Sequence, residues 1–342
     1  MQRVKQVTGK DIAAAVGVSR QAVSAVLSGS NPNCVSAAVR EKILAEASRV
    51  GYRPNTAALR LAGHKTRQIG LLLGGYGFAL GYPTVLAGKI RQQGYHPVLM
   101  IANNIEEADD AAAELRSGAY DGIFIGTGSS WQHRDFQVPV VIQEYGDCDL
   151  CMDLEAAGAM AAEHMLAQGY EKLVFVSMVP YSSADKKFAG ITRIAGPQVK
   201  HIVAGCEADP GRALLTEMDV QQRVGFICSD DILAVRIINF LREKSIAVPR
   251  RAGVIGYGGY HYGSLVHPAL STLVFPVDEL ATAAADLLIN KVKNNICGWS
   301  GKTLTFAPQL KINGSTSEDA LPDNFSDLIK DICNINYDKK KE

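Results

Sequence analysis

Residues 8–27 read TGKDIAAAVGVSRQAVSAVL, and this stretch decides how the rest of the chain is interpreted. Thr8 is a favourable helix N-cap, Asp11 places an acid in the first turn, and Gly17 ends the helix. Ser19 can then cap a second short helix. Two short helices that meet at a glycine-containing turn are typical of the helix-turn-helix motif, whose second helix can enter the major groove of DNA.

The apolar residues of this stretch have the spacing that packs two such helices together: Ile12, Ala15, Val18, Val23, Val26 and Leu27. That packing leaves Arg20, Gln21 and Ser24 facing outward from the first turns of the second helix. Arginine and glutamine have the bidentate geometry that suits the edges of guanine and adenine, respectively. The second helix is therefore predicted to read DNA bases.

A third helix and a connector are predicted after the motif. Ser36 can cap the third helix, and Gly51 can end it. Pro54 requires an extended residue before it, and Asn55 can cap one last short helix. These elements predict a small all-α unit that is joined to the rest of the chain by a helical connector.

The charge of the chain is balanced overall but unevenly distributed. Residues 1–67 contain 11 Lys or Arg against 3 Asp or Glu, whereas residues 68–342 contain 24 against 32. A compact basic segment on an acidic body is what phosphate binding by one part of the chain requires. The alternative is a basic, solvated helix pair that binds nothing, but the motif, the connector and the charge coincide.

The segments VTGKDIAAAVGVSRQAVSAVLSG and VSAAVREKILAEASRVGYRPNTAALRLAG resemble the DNA-binding headpiece of LacI/GalR-family transcriptional regulators. The resemblance implies that base edges are read by Arg20, Gln21, Ser24 and Ala25. It implies that DNA phosphates are held by Thr8, Ser19, Ser24, Ser36 and Asn55. Leu61, with Ala58 beside it, would be inserted into the minor groove and would kink the duplex. Ala25 stands where the family commonly carries Arg, so specificity should depend more on Arg20 and Gln21.

The body of the chain alternates apolar strands with helices from Gln68 onward. Strands are expected near 68–73, 96–102, 121–126, 138–143, 173–177, 224–228, 253–257 and 270–275, and helices near 83–93, 106–117, 156–168, 230–244 and 277–292. Short elements are expected over 187–217. Repeated strand–helix units predict parallel sheets with helices on both faces, here in two subdomains with a cleft between them.

Segments such as GYDGIFIG, EHMLAQGYEKLVFVS and HPALSTLVFP resemble the effector-binding core of the same family, which has the periplasmic-binding-protein-like α/β fold. The implied domains are a helix-turn-helix headpiece (1–54), a hinge helix and linker (55–67), an effector-binding and dimerisation domain (68–316) and a C-terminal tail (317–342). The chain should cross between the two subdomains near 148–153, 274–277 and 298–302.

An effector would bind between the subdomains, at the carboxyl ends of the strands. The resemblance implies an effector site made of Tyr76, Phe78, Lys187, Ser229, Asp230 and Gly258. Gly258 stands where many family members carry the Asp that binds sugar hydroxyls. Because Lys187 then lacks an opposing carboxylate, the pocket would suit an anion, such as a sugar acid or a sugar phosphate. The alternative is that Lys187 is a solvated surface lysine.

The remaining motifs are weaker. Cys148 and Cys151 form a C-x-x-C without a partner pair, so a redox or metal role is not favoured. Asp230 and Asp231 resemble a catalytic pair but are better interpreted as helix caps. We expect no catalytic residue, metal or other cofactor. The tail carries an apolar repeat that a tetramer could use, but a helix docked on its own body or a frayed end is the commoner outcome.

The predicted function is that of a homodimeric DNA-binding repressor whose operator affinity responds to a sugar, sugar acid or sugar phosphate. The chain shows no signal peptide and no apolar run of membrane-spanning length, and its seven cysteines are not a disulfide framework. We therefore expect a cytoplasmic protein that does not bind membranes. The alternative is a cytosolic α/β sugar-binding or sugar-processing protein, which would leave residues 1–63 without a role.

Overall fold

The structure is a computed structural model that describes residues 7–28, 34–52, 65–74, 81–117, 120–128, 130–144, 147–178, 182–218 and 221–320. Several residues singled out in the sequence lie outside this described part, namely Asn55, Ala58, Leu61, Tyr76 and Phe78. The tail from residue 321 onward also lies outside it. None of the helices within these ranges combines the length and apolarity that crossing a bilayer requires.

The described part of the headpiece contains three helices: α1 (Gly9–Val16), α2 (Arg20–Ser28) and α3 (Ala37–Arg49). The backbone N–H of Thr8 donates to Oδ2 of Asp11 at 2.7 Å, so the predicted acid in the first turn closes the start of α1. α1 ends because Gly17 follows it in the left-handed conformation, at φ 74°.

The headpiece core consists of the buried side chains Ile12, Ala13, Val23, Val26, Ile43 and Ala47. Ala15, which was expected in this core, is exposed, and Ala13 is buried in its place. The buried stripe of α1 therefore runs through positions 12, 13 and 16, and position 15 falls on the other side of the helix. The packing still leaves the first turns of α2 free, as the sequence predicts.

The body contains twelve strands within the described residues: β1 (Gln68–Gly74), β2 (His96–Ala102), β3 (Gly122–Gly126), β4 (Val140–Ile142), β5 (Leu150–Met152), β6 (Lys172–Ser177), β7 (Lys200–Val203), β8 (Val224–Cys228), β9 (Ala252–Gly258), β10 (Ser271–Val274), β11 (Leu304–Phe306) and β12 (Gln309–Lys311). A four-stranded parallel sheet has the order β2-β1-β3-β4. A six-stranded sheet has the order β12-β10-β9-β8-β6-β7, and only its edge strand β12 is antiparallel. β5 and β11 form a separate parallel pair.

In the part of the body that the structure describes, seven α-helices accompany these strands: α4 (Gly81–Gln92), α5 (Ile105–Ser117), α6 (Leu154–Ala167), α7 (Ser182–Ala195), α8 (Pro210–Thr216), α9 (Asp231–Glu243) and α10 (Val277–Asn294). α4, α5 and α10 pack on the four-stranded sheet, and α6, α7 and α9 pack on the six-stranded sheet. The region expected to hold only short elements contains α7, a helix of 14 residues, followed by β7 and α8. The expected class, a headpiece plus an α/β body of parallel sheets, is confirmed.

The chain passes three times between the two halves of the body. The first passage follows β5, which ends at Met152, and the second follows β10, which ends at Val274. The third lies between Phe306 of β11 and Gln309 of β12, not at 298–302 as the sequence suggested. Residues 298–303 instead lead into β11, which pairs with β5, so the chain has not yet reached the six-stranded sheet there.

Candidate DNA-binding face and effector site

The start of α2 presents the predicted base-reading surface. Arg20, Gln21 and Ser24 are exposed, and Ala25 is half-buried one turn after Gln21. The side-chain oxygen of Ser19 accepts a hydrogen bond from the backbone N–H of Ala22 at 3.1 Å, which fixes the first turn of α2. Three polar groups and a methyl group are thus held on a rigid helix start, where they can meet the edges of bases.

The predicted phosphate contacts in the described part of the headpiece are also helix caps. Thr8, Ser19 and Ser36 are exposed and stand immediately before α1, α2 and α3. The Ser36 oxygen accepts a hydrogen bond from the N–H of Val39 at 3.4 Å. Helix starts carry free N–H groups and a partial positive charge, so three of them on one small basic unit suit a phosphate backbone.

Lys187 lies inside the body rather than on its surface. Its side chain is 6 % exposed, and its Nζ donates a hydrogen bond to the backbone oxygen of Ser229 at 2.7 Å. The same Nζ lies 3.6 Å from the centroid of the Tyr257 ring. The alternative of a solvated surface lysine is therefore wrong. Lys187 also belongs to α7 and not to a loop, as the sequence had suggested.

Two glycines account for this position of Lys187. A Cβ atom at Gly158 of α6 would collide with the backbone oxygen of Lys187, and one at Gly190 of α7 would collide with the backbone oxygen of Glu155. The backbones of α6 and α7 are thus in direct contact, closer than larger side chains permit. This close approach brings the start of α7, with Lys187, over the carboxyl edge of the six-stranded sheet.

The charge environment of Lys187 contradicts the expectation that it has no opposing carboxylate. Burial lowers the pKa of Lys187 to about 7, while the negative charges of Asp230, Glu144 and Asp231 act in the opposite direction. The ammonium is also occupied by a carbonyl oxygen and an aromatic face. Lys187 is therefore not an unengaged cation that awaits an anionic ligand.

Asp230 and Asp231 have different roles at the start of α9. Asp230 caps the helix, since its Oδ1 accepts from the N–H of Leu233 at 2.9 Å. The carboxylate of Asp231 is fully buried and accepts hydrogen bonds from the hydroxyl of Thr272 at 2.6 Å and the N–H of Tyr260 at 2.8 Å. Asp231 thus fixes the glycine-containing loop after β9.

Gly258 ends β9 with a φ of 134°, a backbone conformation that side chains disfavour. A Cβ atom there would lie 2.5 Å from the ring of Tyr260. That ring stacks on Tyr262 with a centroid separation of 5.2 Å. Aromatic rings therefore fill the space beside Gly258, and an aspartate would not fit this loop as it stands.

Glu144 is a candidate site residue that the sequence analysis did not single out. It follows β4 by two residues, and burial raises its pKa to about 7, against the effect of the N–H of Met152 and the charges of Lys186 and Lys187. The sequence places the loop 143–146 at the carboxyl edge of the sheet but does not distinguish Glu144 within it. Its signal is an acidic residue two positions after a buried strand.

The C-x-x-C motif leads into β5, with Cys151 inside the strand. Cys148 and Cys151 are both free thiols, and the described residues contain no cluster of three His, Cys, Asp or Glu side chains that could hold a metal ion. Burial raises the pKa of Cys148, which disfavours its reactive thiolate. The important residue of the motif is Asp149, which is buried and bonded to His133 at 2.6 Å and to Lys291 at 2.7 Å.

Comparison with known proteins agrees with this arrangement. Residues 8–55 match bacterial regulatory proteins of the lacI family, and residues 162–316 match the periplasmic binding protein-like domain. The chain is 25% identical over 311 residues to the HTH-type transcriptional repressor PurR of Vibrio atlanticus (strain LGP32), covering 84% of this chain and 92% of that protein. It is 26% identical to the ribose operon repressor of Escherichia coli (strain K12), and the match covers 83% of this chain and 93% of that protein.

Solved structures share the fold. The crystal structure of the Lac repressor dimer bound to operator and the anti-inducer ONPF has a TM-score of 0.74 and 21% identity, covering 91% of this chain and 99% of that one. The described headpiece, the two parallel sheets and both sequence matches lead to one assignment. The chain therefore combines a helix-turn-helix DNA-binding domain of the lacI type with a periplasmic-binding-protein-like domain, and its relatives are repressors of the lacI family.

Proposed function

We propose that this chain is a transcriptional repressor that binds operator DNA through α2 and changes its operator affinity when a small molecule binds between the halves of the body. The observation that carries the proposal is the exposed face of Arg20, Gln21 and Ser24 on a capped α2. Both relatives named above are repressors, and one of them is named for the ribose operon. Among the described residues, the charged groups at the strand ends serve as helix caps or loop anchors, as Asp230 and Asp231 do, and we propose no catalytic role for them.

Residues 55–67 are proposed to connect the headpiece to the body, with Asn55 at a DNA phosphate and Ala58 and Leu61 in the minor groove. An effector that favours one arrangement of the two halves would shift the spacing of two such connectors in a dimer.

We propose that Ser229 and Asp230 line the effector site on the six-stranded sheet, with Tyr76 and Phe78 contributing from the other half. The site would take a sugar or a related metabolite.

The base-reading assignment is tested by replacing Gln21 with alanine. A duplex would first be obtained by in vitro selection with the unmodified chain. We expect Gln21→Ala to relax preference at one base pair of each half-site by about 1–3 kcal/mol, because a bidentate contact to a base edge is lost. Gel-shift titration against duplexes with single base-pair changes measures this effect.

Lys10→Ala is the control for the Gln21 variant, because Lys10 is exposed near the start of α1 and would act on phosphates. It should weaken binding to every duplex alike and reduce its salt dependence. If Gln21→Ala leaves the preference at all positions unchanged, Gln21 does not read bases. If no duplex is bound in a salt-dependent manner, the proposed function itself fails.

An exposed apolar patch supports a homodimer. β2 is the edge strand of its sheet, and Leu99 and Ile101 on it are 47% and 59% exposed. Ile105, at the start of α5, is 64% exposed. Adjacent exposed apolar side chains mark an interaction surface, and a two-fold axis lets one patch contact its own copy. We propose that this patch forms part of the dimer interface.

Ile101→Lys is expected to shift the chain from dimer to monomer and to weaken operator binding by about tenfold or more, since the second headpiece is no longer held near its half-site. Analytical ultracentrifugation and gel-shift titration measure the two effects. Ile312→Lys is the matched control, because Ile312 is 47% exposed and lies just after β12, away from this patch. Equal effects of both substitutions would contradict the interface.

A further inference from the structure

We propose that Asp121 selects the spacing between the two half-sites of the operator, because it fixes the direction in which the connector of residues 55–67 leaves the body. Asp121 stands directly before β3, outside the headpiece, and acts as a positioning residue that need not touch DNA. The inference rests on the proposed function and deepens it. Base contacts on α2 read each half-site but cannot sense how far apart two half-sites lie.

The carboxylate of Asp121 holds the end of the connector with both of its oxygens. Oδ1 accepts hydrogen bonds from the backbone N–H of Thr66 at 2.9 Å and from the hydroxyl of Thr66 at 3.0 Å. Oδ2 accepts from the backbone N–H of Arg67 at 2.9 Å. Because two successive N–H groups meet the two oxygens of one planar group, the contact fixes the orientation of the backbone as well as its distance.

The chain turns sharply where the connector enters β1. Arg67 has a φ of 56°, in the left-handed region that non-glycine residues rarely adopt. Its backbone oxygen accepts from the N–H of His96 at 2.7 Å, and the N–H of Asp121 donates to the backbone oxygen of Gln68 at 2.8 Å. Such a conformation persists where the surrounding contacts over-determine it. The start of β2 and the residue before β3 therefore hold this turn from both sides.

A second anchor ties the connector to α10. Nζ of Lys65 donates to the backbone oxygen of Val292 at 2.8 Å, in the last turns of α10. A lysine there also complements the negative end of the helix dipole. A Cβ atom at Gly122 would lie 2.5 Å from the side chain of Val292, so the end of α10 and the start of β3 are in close contact. The two anchors are therefore fixed relative to each other, and together they set the direction of the connector.

The spacing of half-sites is where a fixed direction has its effect. One added base pair moves a half-site by about 3.4 Å along the DNA and rotates it by about 35° around the axis. In a dimer, the second headpiece binds intramolecularly, and its effective concentration is highest where the span of the connectors matches that of the half-sites. A held exit makes this optimum narrow, whereas a released exit lets the headpieces reach other spacings.

The test measures affinity as a function of half-site spacing. Gel-shift titration uses the selected duplex, versions whose centre is shortened or lengthened by one and by two base pairs, and a duplex that keeps one half-site only. The unmodified chain should lose affinity by about tenfold or more when the spacing changes. Asp121→Asn should reduce that loss by about threefold or more, because an amide has one acceptor oxygen where the carboxylate has two. Its affinity for the single half-site should equal that of the unmodified chain.

Asp319→Asn is the matched control, because Asp319 is exposed on the other half of the body and its replacement removes the same charge. It should retain the spacing profile of the unmodified chain. A second pair of variants keeps the charge of Asp121. Thr66→Ser retains all the hydrogen-bonding groups and should retain the profile, whereas Thr66→Val loses the hydroxyl bond and should broaden it. This pair decides the question if circular dichroism shows that Asp121→Asn does not fold.

A spacing profile in Asp121→Asn as narrow as that of the unmodified chain overturns the inference. An unmodified chain that binds all spacings equally overturns it as well. Equal weakening on every duplex, the single half-site included, also overturns it, because a structural defect without a positioning role has that effect. If the unmodified chain binds no duplex in a salt-dependent manner, the proposed function fails instead.

Discussion

Lys291→Met is expected to lower the free energy of unfolding by about 3–5 kcal/mol, because it leaves a buried carboxylate without its cation. Lys291 of α10 is 3% exposed, and its Nζ donates to Oδ1 of Asp149 at 2.7 Å and to the backbone oxygen of Val140 at 3.0 Å. Asp149 is 2% exposed. Methionine has a similar length but cannot donate, so the loss is electrostatic rather than steric. Urea denaturation followed by circular dichroism measures it.

The reason for so large an effect is the number of elements that meet at Asp149. Its Oδ2 accepts from the N–H of Ile142 at 2.9 Å and bonds to Nε2 of His133 at 2.6 Å. Its backbone oxygen accepts from the N–H of Leu304 at 2.8 Å. Burial raises the pKa of Asp149, but the hydrogen bonds of His133, Lys291 and Ile142 outweigh it, and the net pKa is lowered. The carboxylate of Asp149 therefore joins β4 to α10, and its backbone oxygen pairs with the first residue of β11.

Lys293→Met is the matched control for this variant, since Lys293 lies on the same helix and is exposed. Substitutions at such surface positions change stability by about 0.5 kcal/mol or less. A similar small loss in Lys291→Met would mean that Asp149 finds another partner or is accessible to water. Asp149→Asn adds a second test, because it removes the charge that Lys291 neutralises and should also be strongly destabilising.

The headpiece was the most predictable part of the chain, because its determinants are local. Thr8, Gly17 and Ser36 act at the helix ends that their chemistry indicates. The buried runs of β1, β3 and β8 were equally clear, since a parallel strand covered on both faces must be apolar along its length. Fold class and headpiece therefore follow from short-range patterns.

The candidate effector site was less predictable, because its geometry depends on contacts between distant segments. The burial of Lys187 results from the contact of α6 with α7 at Gly158 and Gly190, which no local pattern reveals. The carboxylates around Lys187 come from α9 and from the end of β4. A lysine in a predicted loop looks exposed until those elements are placed. The expectation of an anionic ligand arose from this missing information.

Lys187→Met is expected to change how stability depends on pH. The ordinary pKa of lysine is 10.5, which applies to the unfolded chain, whereas burial lowers the pKa of Lys187 in the folded chain to about 7. Between these two values the unfolded state binds more protons, so the contribution of Lys187 to stability rises with pH. Glu144 acts in the opposite sense at lower pH. Burial raises its pKa from 4.5 to about 7, so its contribution falls as pH rises between those values.

The unmodified chain should therefore gain about 2–3 kcal/mol from Lys187 between pH 7 and pH 9, as the folded state alone gives up this proton. Lys187→Met lacks the titrating group and should be more stable than the unmodified chain at pH 7, with a difference that narrows by that amount at pH 9. Urea denaturation at both pH values measures the difference. Lys186→Met is the control, since Lys186 is exposed on the same turn of α7. This substitution should change the free energy of unfolding by the same amount at pH 7 and at pH 9. A difference that stays constant from pH 7 to pH 9 would mean that Lys187 remains charged throughout, because its carbonyl and aromatic contacts and the nearby carboxylates then offset its burial.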